Sequence, residues 1–473
     1  MMFRSIGLAG LLLAVGSCTG SAAPAPPAPN TPYSYFVAVG DAGSSGTRLY
    51  VYNVIRPAGA TATQLPIVKL VSQDGGKAGG YKPPECSVKG LADSSDDQMT
   101  KCMNALTTYL GTLLDINGVP ELVKTNMRVA VRATAGVRIV NIDDQGIHVL
   151  TVAEAAIKAG GFQNTTVRVI DGAFESEYAW IAANYMNKTL GGPAIDTIGI
   201  LEIGGASEQI AFIPQILNNR SPISFIGNKY ELYAFSSNRL GINEARKQFG
   251  EIPACKPGNN DSDFTACSRN LVYPTDPSVA SIFPNRCVNN CGLEGDTQPP
   301  VYGTTFKPKF VGLGNVFGGL GDCLKGQTPP MDFNANSLTT IGVRLCSKDK
   351  QEPKKACPNA SDKFIDLYCF NAALVATELS GLIETPAAPV GDAGVLVGAS
   401  ARGLGFPRDT TQVIASSDFL LGAGIPRADI PVGDSQIMNE DALKDAHGVP
   451  IPDGLAGVSW TLGYVLSVDS SGG

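Results

Sequence analysis

The chain has 473 residues, 44% hydrophobic and 17% charged, with a formal net charge of −7. That length and apolar share describe a globular protein with roughly two or three well-buried cores and exclude a disordered one. The acidic balance excludes nucleic acid as a partner and a basic membrane-binding face. It does not exclude phosphate, which a local nest of backbone N–H groups with a cation can hold.

The first residues read as an export signal: Arg4 precedes the apolar run Ile6–Val15, which is too short to span a bilayer. Val15-Gly16-Ser17-Cys18 resembles a bacterial lipoprotein processing site. Residues 1–18 are therefore expected to be a signal with Cys18 as the lipidated end, and residues 19–32, rich in Ala and Pro, a tether. Ordinary secretion with cleavage nearby is the alternative. On either route the protein is periplasmic, at the cell surface or secreted; its only membrane contact would be through that lipid, and a monomer is expected. Of 11 cysteines, ten remain after Cys18, an even number that fits five disulfides in an oxidising compartment. Cys86 and Cys102 flank a short stretch and are expected to pair. The other eight lie between Cys255 and Cys369 and their pairing is open. Cys287-x3-Cys291 has no second Cys or His pair at zinc spacing. The two histidines, His148 and His447, offer little for a histidine base.

Along the chain, Tyr35 to Asn53 reads as a β-hairpin around the turn Asp41-Ala-Gly-Ser-Ser-Gly-Thr47. Met99, Met103, Leu106, Leu110 and Leu113 share one face of a helix expected over 96–115. Met127 to Arg132 reads as a strand running into the small-residue turn Ala133-Thr134-Ala135-Gly136. Thr151-Val-Ala-Glu154 is a capping box expected to open a helix that stops at Gly160-Gly161. A strand over 167–170 and a helix over 174–186 follow. The second hairpin, from Ile198 to Phe212, surrounds Glu202-Ile-Gly-Gly-Ala-Ser-Glu-Gln209. From Cys255 to about Cys357, Pro, Gly, Asn, Asp and Cys dominate, which predicts a loop-rich, disulfide-stapled elaboration. A helix is expected over 363–382 and a short apolar element over 460–468; the stretch between 382 and 457 carries no assignment. Strands alternating with helices predict an α/β architecture.

The two hairpin turns are built alike, and no other internal echo exists. Each has an acid at its entry, Asp41 or Glu202, then small residues whose backbone N–H groups can approach an anion. Two such turns facing each other could hold a polyphosphate chain from both sides. The two acids suit a hard divalent cation, which binds through carboxylates and substrate phosphates. Ser44, Ser45 and Thr47, and Thr134 in its own turn, can donate to phosphate oxygens. With no suitable histidine, a carboxylate is the natural base, and Glu175 sits at a helix start after a strand. Phe174, Tyr178, Ile181 and Tyr185 read as the apolar face of that helix, with Glu175 at its edge. The glycines from Gly312 to Gly321 are not a P-loop, since no Gly-Lys-Ser/Thr ends the run.

Five ordered segments resemble the apyrase conserved regions of the nucleoside triphosphate diphosphohydrolases. They are Asp41 to Arg48, Ala133 to Arg138, Gly172 to Trp180, Glu202 to Gln209, and Ser459 to Tyr464. Asn238 to Arg246 and Tyr368 to Phe370 add weaker matches. The resemblance implies two actin-like, ribonuclease-H-like lobes with the active site in the cleft between them, here 33–170 plus 447–473 and 171–446. It implies hydrolysis of nucleoside tri- and diphosphates with Mg2+ or Ca2+ and no phosphoenzyme. It assigns Glu175 as base and Ser207 and Gln209 as holders of the attacking water. It assigns Ser44, Ser45, Gly46, Thr47, Arg48, Thr134, Gly204, Gly205 and Ala206 to the phosphates, Phe317 to the nucleobase, and Asp41, Glu202 and Trp460 to the surroundings of the metal, with Asp41 reaching it through water. Arg48 resembles the plant-type and bacterial version. The departures are Glu202, where the family has aspartate, and the single acid of Phe174-Glu175-Ser176, where two are usual. A degenerate member kept for nucleotide binding or host contact, and an exopolyphosphatase-like enzyme, are the rival expectations.

Overall fold

A computed structural model describes residues 31–44, 46–61, 63–71, 80–86, 94–138, 144–214, 221–276, 278–282, 292–295, 298–299, 301, 310–380, 413–415 and 460–470. Residues 1–30, which hold the expected signal and most of the expected tether, Ser45, Ser459 and the stretch 381–459 apart from 413–415 lie outside them.

Two sheets organise the chain. In the first, β1 (Tyr33–Gly43) and β2 (Gly46–Arg56) form the expected hairpin, paired in register from Tyr33 with Arg56 to Gly43 with Gly46. β3 (Ile67–Val71) flanks β2, and β4 (Arg128–Ala133) and β5 (Thr165–Val169) continue beside β1 as parallel strands, giving the order β3-β2-β1-β4-β5. The second sheet repeats the plan. β6 (Gly199–Ile203) and β7 (Glu208–Phe212) form the second hairpin; of the next two strands, β8 (Ser221–Phe225) and β9 (Asn228–Ser237), β9 pairs with β7 and β8 lies outside it, while β10 (Phe310–Leu313) and β11 (Val413–Ala415) run parallel on the far side of β6. The order β11-β10-β6-β7-β9-β8 matches the first sheet with one strand added. Strand alternation explains why both faces are apolar: Val37 and Val39 enter one core while Ala38 and Ala42 enter another.

The helix Asp96–Ile116 starts on a capping box between Ser95 and Gln98 and buries the five apolar positions read from its period. Cys102 on this helix is bonded to Cys86, as expected. The helix Asp144–Ala159 starts upstream of Thr151, so the capping box there is not used. Glu154 instead accepts from Lys158 Nζ at 2.6 Å and from the Val167 N–H at 3.2 Å, tying the helix to β5.

The stretch after Cys255 is more helical than its composition predicts. Helices Phe264–Val272, Asn315–Lys325, Ala335–Leu345, Glu352–Ala356 and Tyr368–Ser380 share one large core with the second sheet. Disulfides Cys255–Cys267, Cys323–Cys357 and Cys346–Cys369 staple them, and Cys287 and Cys291 lie outside the described residues. Turn-forming residues sit between the helices, which is why local composition masked them.

The helix Gly172–Met186 lies between the second sheet and the last helix, Trp460–Ser470. Its apolar face was misread. Phe174 is 53% exposed, whereas Glu175 is 5% exposed and Trp180 fully enclosed. The last helix is held by the buried Arg56–Asp469 ion pair, by Tyr52 and Thr461 hydroxyls 2.6 Å apart, and by Arg132 donating to the Tyr464 hydroxyl at 2.9 Å. Gly463 sits against the backbone carbonyl of Tyr178, leaving no room for a side chain. Gly463→Ala is therefore expected to lower unfolding free energy by at least about 2 kcal/mol, the scale of an overpacked core. Urea unfolding of the variant and the unmodified protein checks it, and equal midpoints would contradict the packing described.

Candidate active site

Both hairpins place their entry acid in the same register position. Asp41 pairs with Arg48 across the first hairpin, and Glu202 pairs with Gln209 across the second. On its other side each acid's strand is flanked by a parallel strand, with Arg132 opposite Asp41 and Leu313 opposite Glu202. The hairpins meet at their tips. A side chain added at Gly205 would begin 2.9 Å from Ser44 Oγ, and one at Gly136 would begin 2.7 Å from Ser44 Cα. The three small-residue turns read from the sequence thus converge on Ser44. Thr134 joins them by donating its N–H to the Ala42 carbonyl at 3.1 Å.

Gly46 has φ +124° and is walled by the Cys86 carbonyl, so only glycine fits this turn. Thr47 beside it is buried. In the second turn the Gly204 N–H donates to the Ser207 carbonyl at 2.9 Å. The Gly204 and Gly205 carbonyls accept from Ile242 and Asn243 at the start of the helix Ile242–Phe249. That helix, entered through Gly241 packed against Ala206, supports the turn from behind. Ser207 and Gln209 alternate to one side of the strand and are joined by Gln209 Nε2 donating to Ser207 Oγ at 2.6 Å; Gln209 also reaches Ser236 Oγ at 3.1 Å.

Glu175, in the first turns of its helix, accepts from Arg138 Nη2 at 2.7 Å. Arg138 also donates to the Ile170 carbonyl at 2.8 Å and to Asn238 Oδ1 at 3.0 Å, so one guanidinium ties three segments together. Arg138 belongs to the second resembling segment, but the sequence gave it no role. Its fork of donors becomes meaningful only once β5, β9 and the Gly172–Met186 helix are adjacent. Lys82, also missed, comes to the first turn from a loop with no periodic signal.

Glu175 lies close enough to raise the pKa of Asp41 and of Glu202, and Asp41 close enough to raise that of Glu202. Burial pushes Asp41 up to about 7, helped by the Glu175 charge and opposed by Arg48 and Lys82. Burial pushes Glu202 up to about 8, with Glu175 and Asp41 adding to it. Glu175 is raised by burial, with Arg138 opposing. Glu202 Oε2 is buried with no hydrogen-bond donor. Asp41 and Glu202, both half-buried, offer the carboxylate oxygens a hard cation takes, and one of those oxygens has no donor of its own.

Two expected site residues are placed differently. Phe317 is fully buried against Gly312 and Phe333, so neither ring face is open to a nucleobase. The segment 310–317 is instead a sheet strand and helix start, because the Phe310 ring packs over Gly199 on the neighbouring strand. Trp460 is 3% exposed within the core beneath the first hairpin. Ser45 lies outside the described residues.

Two sheets of one strand order, with their leading hairpins tip to tip, define an α/β fold of two actin-like halves with a cleft between them. Residues 29–261 match the GDA1/CD39 (nucleoside phosphatase) family and form a domain of that family. It is similar to ectonucleoside triphosphate diphosphohydrolase 1 of Mus musculus, 25% identical over 389 residues that cover 70% of this chain and 74% of the mouse protein. It is similar to the Golgi apyrase of Schizosaccharomyces pombe, 32% identical over 269 residues, 52% of this chain and 45% of the yeast protein. The fold is that of a nucleoside triphosphate hydrolase structure from Neospora caninum, with TM-score 0.55 at 14% identity over 92% of this chain and 93% of that one. Among the described residues no helix is long and apolar enough to cross a membrane.

Proposed function

We propose that the chain hydrolyses nucleoside tri- and diphosphates to the monophosphate and orthophosphate outside the cytoplasm, with Mg2+ or Ca2+ as cofactor. The domain of a nucleoside phosphatase family supports the reaction class. The observation that carries the detailed reading is the meeting of the two glycine turns, whose entry acids are Asp41 and Glu202.

In this reading the phosphate chain lies between Ser44–Arg48 and Gly204–Ala206, with Thr134 and both sets of turn N–H groups on its oxygens. Asp41 and Glu202 would hold the cation, directly or through water. When bound, it neutralises the acids and draws charge from the phosphoryl oxygens. Ser207 and Gln209 hold a water in line with the terminal phosphorus. Glu175, with Oε2 fixed by Arg138, takes the water's proton as the new P–O bond forms and the bond to the bridging oxygen breaks. The shorter nucleotide leaves with the bridging oxygen. Glu202 would hold the cation with a side chain one methylene longer than the aspartate usual in the resembling family. The export signal at residues 1–18 and the even cysteine count support a location outside the cytoplasm.

Orthophosphate release tests the reading. ATP and ADP are expected to yield orthophosphate and AMP, with AMP itself untouched. Release from inorganic polyphosphate without release from ATP would replace the reading with a polyphosphatase. Tight nucleotide binding without release would replace it with a binding module.

A further inference from the structure

The segment that follows β3 returns to the first phosphate turn at residues 80–86 and is clamped there three ways. Tyr81 and Leu49 exchange backbone hydrogen bonds of 2.8 and 2.9 Å, which pairs the segment with β2. The Tyr81 ring stacks on Tyr109 of the Asp96–Ile116 helix with centroids 3.7 Å apart. The Cys86–Cys102 disulfide fixes the end of the segment to the same helix. Between these clamps stands Lys82, half-buried, its Cε 2.9 Å from the point where a side chain at Gly46 would begin. A glycine with φ +124° leaves that space open, and the lysine stem lies beside it. The ammonium is also near enough to Asp41 for its charge to be felt there, alongside Arg48.

A flexible lysine on a loop would ordinarily be swung into solvent, because ordering its four-carbon stem costs entropy. Here the backbone on either side is clamped, so the charge is held over the turn at a smaller cost. Arg48 apart, the turn's other anion-binding groups are backbone N–H groups and hydroxyls, which carry partial charges. A full positive charge at the mouth of such a turn matches a phosphoryl oxygen that bears a full negative one.

We propose that Lys82 is a phosphate-binding residue of this site, donating from Nζ to the phosphate chain over the Ser44–Thr47 turn, and that the Cys86–Cys102 disulfide holds it there. The assignment rests on the nucleotide site described above.

The test is equilibrium binding of a non-hydrolysable ATP analogue with Mg2+, measured by calorimetry at two salt concentrations on the full chain. Lys82→Met keeps the stem and removes the charge; it is expected to weaken binding roughly 10- to 100-fold, the scale of one charge-assisted hydrogen bond, and to flatten the salt dependence. Lys82→Arg is expected to recover most of the affinity, with melting temperature unchanged in both variants. Replacing Cys86 and Cys102 together by serine is expected to weaken binding in the unmodified background and add little to Lys82→Met, the signature of two sites acting through one contact. Undiminished binding by Lys82→Met overturns the assignment while leaving the site intact. Equal losses in the methionine and arginine variants with lowered melting temperatures overturn it in favour of a structural role. No binding by the unmodified protein removes the nucleotide site itself, and this assignment with it.

Discussion

Glu175→Gln is expected to lower turnover of ATP by roughly 10²- to 10⁴-fold while leaving nucleotide affinity nearly unchanged. The glutamine keeps the volume and can still accept from Arg138 Nη2, so the Arg138 ties to Ile170 and Asn238 persist and the fold is retained. What disappears is the carboxylate that takes a proton. Burial raises the Glu175 pKa, which makes the carboxylate a stronger base, and the Arg138 ion pair opposes the rise. Single-turnover phosphate release with saturating ATP isolates this step. A variant within a few-fold of normal turnover would move the base elsewhere, and Asp41 and Glu202 would be the next carboxyls to examine.

Removal of divalent cations is expected to abolish phosphate release and also to change how stability depends on pH. Asp41 and Glu202 titrate near 7 and 8 in the folded metal-free protein, above their ordinary 3.8 and 4.5. The folded state therefore holds protons that the unfolded chain has already released. Stability from these groups is full below about pH 4 and is lost as pH rises through 7 and 8. A bound cation takes over the protons' task, so Mg2+ or Ca2+ should raise the melting temperature strongly at pH 8 and little at pH 5, where protons compete. Glu202→Gln removes one charge and should shrink the pH 8 effect. Cation stabilisation of equal size at both pH values would show that the ion binds away from these acids.

The hairpins, the helix over 96–116 and the four strand-and-helix signals around Glu175 were legible because each is a local pattern: apolar period, caps and glycine turns. The equivalence of Asp41 and Glu202 was legible too, since register follows from hairpin symmetry alone. What local pattern could not give was anything set by a distant neighbour. Glu175 looked like the edge of an amphipathic helix, but that helix is buried on nearly every side by the second sheet and the Trp460–Ser470 helix, so its apolar stripe carried no direction. The resemblance gave Phe317 to the nucleobase, because nothing near it in sequence reveals that Gly199 opens a slot for Phe310 where β10 runs parallel to β6. The convergence of Arg138 with Glu175 joins residues 37 positions apart through a contact that exists only after folding.

The most direct measurement is a crystal structure of the protein with a non-hydrolysable nucleotide analogue and Mg2+ or Ca2+. The phosphate chain should run between the Ser44–Arg48 and Gly204–Ala206 backbones, with the ion facing Asp41 and Glu202 and the terminal phosphorus within reach of a water on Ser207 and Gln209. A chain bound to one hairpin alone, or seated outside the place where Ser44 and Gly205 meet, would contradict the account.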